Sequence, residues 1–157
     1  MPHVTLVALT GFRVREPEML ELGMSLPGLT GRADAVSQLP ALGILTLAGA
    51  TVSPWTVSCL HAGNDLKATL DKVCQEDPDL VGISALTASI EDAYQLCDRL
   101  WQLGIRTVLG GLHVSACPDE ALSHADCIVI GRGETVWPRL LDDASRGQLQ
   151  RRYTVSR

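Results

Sequence analysis

Aromatic side chains are scarce in this sequence: one Phe, two Tyr and three Trp among 157 residues. The core therefore has to be built from Leu, Val, Ile and Ala, which suits a parallel sheet covered by helices. Cations are in deficit as well. Thirteen Lys and Arg stand against eighteen Asp and Glu, a net charge of −5, whereas a nucleic-acid surface needs clustered basic residues. Arg146, Arg151, Arg152 and Arg157 gather only loosely and read as a solvated tail. No stretch reaches the ~20 apolar residues of a membrane span. Leu39 to Val52 comes nearest, but it is short and carries Pro40, Thr46 and Thr51. No basic-then-apolar start marks a secretion signal, so the cytoplasm is the expected compartment. The cysteines, Cys59, Cys74, Cys97, Cys117 and Cys127, are odd in number and scattered. No pair has the close spacing of a zinc or iron–sulfur site, and they read as reduced structural thiols. A Walker loop, a Gly-x-Gly-x-x-Gly element and a Ser-His-Asp order are also missing.

What is present is a series of apolar runs that end in small or hydroxyl residues. Val81-Gly82-Ile83-Ser84-Ala85-Leu86-Thr87 is one, and Val108-Leu109-Gly110-Gly111-Leu112-His113 is the next. Taken in order, His3–Thr10, Trp55–Leu60, Leu80–Ser84, Ile105–Leu109 and Asp126–Ile130 read as strands. Helical patterns lie between them. One starts near Pro40 and runs to about Val52, with Gly43 and Gly49 suggesting close approach to the sheet or to a ligand. A second is capped by Asn64 or Asp65 and turns Leu66, Leu70 and Val73 to one face. A third opens on a capping-box-like Ser89-Ile90-Glu91-Asp92 and stops at Gly104; Ile90, Ala93, Tyr94, Cys97, Leu100 and Trp101 recur at helical spacing. A short helix opens at Pro118, and a last one turns Trp137, Leu140 and Leu141 inward before Gly147. The alternation predicts one α/β domain over residues 1–150 with a tail or linker over 151–157. Its sheet is expected to be doubly wound, parallel and five-stranded, in the flavodoxin-like (Rossmann-like) order 2-1-3-4-5, with helices on both faces. The long connection from Phe12 to Gln38, with a possible short helix over 16–22, has the length of a functional or mobile loop.

Polar clusters fall after strands: Thr10-Gly11 after the first, Ser84 to Thr87 after the third, Gly110-Gly111-Leu112-His113 after the fourth, and Gly131-Arg132-Gly133-Glu134 after the fifth. Strand ends of this kind form the ligand crevice of open parallel sheets, here expected between strands one and three. Paired glycines allow positive φ and close backbone approach to a ligand, though each pair can equally make only a tight turn. Three neighbouring ends of this type favour a crevice. His113 with Glu134 is a candidate acid–base pair, set against the simpler reading of Glu134 as a dipole-supported residue at a helix start.

Ser84-Ala85-Leu86, then Gly110-Gly111, resembles the Ser-x-Leu and Gly-Gly elements of cobalamin-binding domains. Leu39 to Leu45, Pro78 to Ser84, Leu109 to Ser115 and Gly131 to Glu134 are similar, in order and spacing, to the N-terminal cobalamin (B12)-binding domain of B12-dependent radical SAM proteins. The resemblance spans about His3 to Tyr153. It implies a corrin over the C-terminal strand edge and a dimethylbenzimidazole tail in the cleft. Thr10, Gly11, Ser84, Leu86, Thr87, Gly110, Gly111, His113, Gly131, Gly133 and Glu134 would contact the cofactor.

Two departures qualify that picture. The Asp-x-His-x-x-Gly element that supplies a cobalt ligand in many cobalamin domains has no counterpart at Thr10-Gly11-Phe12-Arg13-Val14-Arg15. Base-off, His-off cobalamin is therefore implied, with His61 and His113 only remote substitutes as ligands. The Cys-x-x-x-Cys-x-x-Cys motif of a radical SAM cluster is absent, so no iron–sulfur cluster is expected in this chain. The chain then reads as a methyl-carrier module of a cobalamin-dependent methyltransferase, serving a radical SAM catalytic domain or separate protein. Alternatives are a small stand-alone enzyme using the crevice for another ligand and a cofactor-free regulatory or interaction domain. A homo-oligomer remains open.

Overall fold

A computed structural model of the chain describes residues 1–9, 41–62 and 65–155. The expectations for Thr10, Gly11, the Phe12–Gln38 connection, Pro40 and Asn64 lie outside these residues.

β1 (His3–Leu9) is buried from Val4 to Leu9, as a central strand flanked on both sides and covered on both faces must be. It is followed by α1 (Leu42–Ala50), β2 (Thr56–Ala62), α2 (Leu66–Gln75), β3 (Leu80–Ser84) and a 3-10 turn at Thr87–Ser89. Then come α3 (Ile90–Gln102), β4 (Arg106–Gly110), the short helices α4 (Leu112–Ala116) and α5 (Pro118–Ala121), β5 (Cys127–Ile130), α6 (Gly133–Ser145) and β6 (Arg152–Thr154). The sheet is parallel throughout, in the order β2-β1-β3-β4-β5-β6. The first five strands take the expected order. The sixth comes from the segment expected to be a tail: Ile128, Val129 and Ile130 pair with Arg152, Tyr153 and Thr154. Tyr153 fixes that strand, because its ring is buried and its hydroxyl donates to Asp143 Oδ2 at 2.7 Å.

Successive residues of a strand point to opposite faces, and the two faces carry separate cores. Val7, Val81, Ile83, Leu109 and Ile128 pack under α2, α3 and the α4–α5 pair. Val4, Leu6, Leu80, Val108 and Val129 pack under α1 and α6, against Ile44, Trp137, Leu140 and Leu141.

Asp65 caps α2 as its position predicts, its Oδ1 accepting from the amides of Lys67 at 2.9 Å and Ala68 at 3.1 Å. Gly104 and Gly147 adopt positive φ just past α3 and α6. Three local expectations fail. Ser89 is buried and donates to the Leu86 carbonyl, so no side-chain cap forms at α3. Trp101 is 69% exposed, and Leu96 takes the inward position instead. Trp55, expected at the start of strand two, precedes it and anchors the chain to α6, its Nε1 donating to Ser145 Oγ at 2.9 Å.

Candidate functional site

The α1/α6 face of the sheet is sealed at the bottom and open at the top. On β3 the residues facing it run Leu80, Gly82, Ser84, and on β4 they run Arg106, Val108, Gly110. The register sets Gly82 beside Val108 and Ser84 beside Gly110. Side-chain volume therefore falls away toward the C-terminal strand ends, and α1 and α6 cannot close the gap. The result is a cleft of about 210 Å³. Its floor is Gly82, Ser84, Val108, Gly110 and Val129. Gly43, Ile44 and Leu47 of α1 form one wall, Trp137 closes the deep end, and the Gly131-Arg132-Gly133-Glu134 turn forms the rim.

The glycines here do different jobs. A Cβ on Gly110 would touch only Val129, at 3.8 Å, and would otherwise stand in the cleft. Gly43 likewise has nothing within 4 Å of where a Cβ would be. Its absent side chain leaves space, which answers the expectation of close helix approach: α1 is not pressed onto the sheet at Gly43 or at Gly49. Gly111 is different. It sits at φ 122°, and a Cβ would run into the Ala85 carbonyl, so it is held to glycine by the turn itself. Gly82 is pinched between Leu6 and Trp137.

The rim is polar. α6 starts beside it without a side-chain cap. Gly131 donates its amide to Ser115 Oγ at 2.9 Å. Glu134 accepts from Arg132 Nε at 2.9 Å. Its carboxyl is held below the ordinary range by its own backbone amide first and by Arg132 second.

Of the residues singled out from sequence, Ser84, Gly110, Gly111, Gly131, Gly133 and Glu134 line this one cleft. Leu86 is exposed on the loop after β3 and Thr87 lies in the 3-10 turn; neither lines it. His113 is also outside it. Its Nδ1 is 3.2 Å from Thr87 Oγ1 and its Nε2 is 3.6 Å from Glu120. Among the described residues no ion pair joins it to Glu134, which is paired with Arg132. His61 Nε2 accepts the Ala41 amide at 3.0 Å, at the start of α1. Sequence reasoning missed the walls. Trp137 reads only as a helix position that faces inward, and inward-facing spacing does not distinguish a core contact from a cleft lining; Ile44 and Leu47 do not stand out beside Gly43. The crevice was expected between strands one and three. The β1 end of that crevice, at Thr10 and Gly11, lies outside the described residues; among the described residues the cleft lies over β3, β4 and β5, where Ser84 and Gly110 are the small residues of the last register.

Residues 28–141 match the family model of the B12 binding domain. The chain belongs to the B12-binding domain family. A 77-residue stretch of this B12-binding domain is 46% identical to the bacteriochlorophyllide d C-8(2)-methyltransferase of Chlorobaculum tepidum, covering 49% of this chain and 17% of that protein. A 78-residue stretch is 33% identical to the bacteriochlorophyllide d C-12(1)-methyltransferase of the same organism, covering 50% and 17%. An uncharacterised methyltransferase of Pyrococcus horikoshii is 35% identical over 77 residues, 46% of this chain and 17% of that protein. The matches thus span about a sixth of the length of these relatives. The fold is similar to the 1.5 Å crystal structure of a novel cobalamin-binding protein from Desulfitobacterium hafniense, with a TM-score of 0.55 and 19% identity over 88% of this chain and 58% of that one.

The cleft fits part of a cobalamin. Pockets for whole drug-sized ligands run to roughly 300–1,000 Å³; 210 Å³ suits a single ring system with the bulk of the molecule outside. Apart from Ser84, its floor is backbone and apolar side chains, which suits a flat aromatic base, and the Ser84 hydroxyl can meet a polar group that follows. No helix among the described residues is long and apolar enough to cross a membrane.

Proposed function

We propose that this B12-binding domain holds cobalamin with the nucleotide tail in the α1/α6 cleft and the corrin over the C-terminal edge of the sheet. One observation carries the reading: the cleft is open where Gly110 and Gly43 withhold side chains, and Trp137, packed on Gly82, bounds its depth. Ser84 and the Gly131–Glu134 turn would meet the polar part of the tail. Leu86, 43% exposed on the loop after β3, and Leu112, 75% exposed at the start of α4, offer apolar surface to the corrin.

In this reading no histidine of this chain would ligate the cobalt. The sequence after strand one, which has no Asp-x-His-x-x-Gly element, supports it, as does His61, whose Nε2 already accepts the Ala41 amide. When bound, cobalamin supplies methyl-transfer chemistry at its cobalt. The residues of this chain would bind the tail and keep water from its base. The methyltransferase names of the relatives support a methyl-carrier role, with catalysis completed by a radical SAM-type domain or protein. The cytoplasm is the compartment such a partner implies.

The test is reconstitution with hydroxocobalamin followed by gel filtration. The protein peak is expected to keep the visible absorbance of the cofactor. Gly110→Leu, which fills the cleft from a position with only ordinary contacts, is expected to lose it while keeping the native circular dichroism. Uptake undiminished in that variant overturns the tail slot. The electron paramagnetic resonance spectrum of the reduced cob(II)alamin form is expected to lack nitrogen splitting from a lower ligand.

A further inference from the structure

On the opposite face of the sheet from the cleft, three side chains of different chemistry converge. His113 on α4, Cys117 just after it and Glu120 on α5 place an imidazole nitrogen, a thiol sulfur and a carboxylate oxygen within 4.8 Å of one another. The local chain explains the meeting. His113 and Cys117 are four residues apart, so they share one face of a single helical turn. The Cys117 amide donates to the His113 carbonyl at 2.8 Å and keeps that turn closed. Pro118 then starts α5, which brings Glu120 back over the same face.

We propose that His113, Cys117 and Glu120 form a binding site for a divalent transition metal of the zinc class. Three observations meet there. His113 Nε2 is shut off from solvent and has no hydrogen-bond partner among the described residues; Glu120 Oε1, at 3.6 Å, is too far to accept from it. An orphaned buried ring nitrogen is costly unless something satisfies it. His113 Nδ1 is fixed by Thr87 Oγ1 at 3.2 Å, and metal-bound imidazoles use their second nitrogen in this way. The His113–Glu120 spacing is also right, with Cys117 Sγ within 4.8 Å of both. Bonds of about 2.0–2.3 Å in a tetrahedral site hold neighbouring donors roughly 3.4–3.6 Å apart, close to the 3.6 Å already separating Nε2 from Oε1.

The donor set is one nitrogen, one sulfur and one oxygen, the mixture a borderline-soft ion accepts. A neutral imidazole, a thiolate and a carboxylate balance a dication, and binding releases the thiol proton. Three protein donors leave the fourth position to water or a small exogenous ligand. Tyr94 walls the site, its ring edge-on to His113 with centroids 6.4 Å apart. The Glu120 side chain, 52% exposed, marks the side from which an ion enters. The site contains a single cysteine, so cysteine spacing alone does not reveal it. It shares no residue with the cleft, and its test needs no cobalamin.

The experiment is a titration of the reduced, metal-stripped 157-residue chain with Co²⁺ in the absence of cobalamin. One equivalent is expected to bind, with a thiolate-to-metal charge-transfer band and the intense visible bands of a tetrahedral site, both bleached by equimolar Zn²⁺. Cys117→Ser is expected to abolish the charge-transfer band, and Glu120→Gln, a change on an exposed side chain, to weaken binding at least tenfold. Cys74→Ser, at an exposed thiol on α2, is expected to leave both unchanged. Absence of the band in the wild-type chain, or a band that survives Cys117→Ser, overturns the proposal. Unchanged affinity in Glu120→Gln likewise overturns the three-donor assignment and leaves a His–Glu ion pair.

Discussion

Trp137 Nε1 donates a hydrogen bond to Thr51 Oγ1 at 2.9 Å, and that hydroxyl donates onward to the Leu47 carbonyl at 2.9 Å. The deep end of the cleft, on α6, is thereby tied to its wall on α1. Thr51→Val keeps the shape and removes the link, leaving the buried indole N–H unsatisfied. A loss of about 1–3 kcal/mol is expected in urea unfolding. Faster loss of cobalamin on gel filtration should accompany it, since the two walls no longer hold each other.

The three glycines around Ser84 should respond differently to the same methyl group. At Gly82 a Cβ comes within 2.7 Å of Leu6 and 3.3 Å of Trp137, so Gly82→Ala overpacks the core by about 1–3 kcal/mol. At Gly111 positive φ and the Ala85 carbonyl together forbid a side chain, and Gly111→Ala should cost about 2 kcal/mol or more. At Gly110 the methyl meets only ordinary contact, so Gly110→Ala should leave the melting temperature nearly unchanged while trimming the cleft. Thermal melts of the three variants, compared with their cofactor uptake, separate packing from binding.

Tyr153 joins the last strand to α6. Its hydroxyl donates to Asp143 and accepts from the Gln150 amide at 3.2 Å, and burial followed by Asp143 pushes its pKa up to about 12. Tyr153→Phe should cost about 1 kcal/mol, the net worth of the hydrogen bonds. Tyr153→Ala should cost roughly 3 kcal/mol or more, through the cavity left beside β5. Chemical denaturation of both variants checks the difference.

Burial pushes the Cys97 and Cys127 thiols up to about 12. Between the ordinary thiol range and that value, the folded chain keeps protons that the unfolded chain releases. Stability is therefore full at neutral pH and declines as pH rises from about 9 toward 12. Cys74, exposed, should react with a thiol reagent in the native protein, whereas Cys97 and Cys127 should react only on unfolding. Mass spectrometry of alkylated peptides reads both outcomes.

The sheet and its order were legible because five apolar runs alternate with helical spacing, and strand ends carry Gly and Ser where a crevice forms. Ser84, Gly110, Gly131, Gly133 and Glu134 were visible for that reason. β6 was not, because an edge strand of three residues with Arg152 and Thr154 turned outward has too little apolar pattern to stand out from a tail. Ser89 was misread as a cap because tertiary burial overrode its local preference. His113 was read as part of the strand-end set through its neighbour Gly111. The α4 turn that follows carries it to the other side of the sheet, toward Cys117 and Glu120.

The sheet acts as a partition. Leu109 and Ile128 look toward α3 and its companions, while Val108 and Val129 look toward the cleft, so adjacent residues of one strand answer to different demands. Repacking beneath α3 can raise or lower robustness without touching what the other side carries. The shape of the cleft, in turn, can be retuned at Gly110 or Leu47 without the α3 side having to give way.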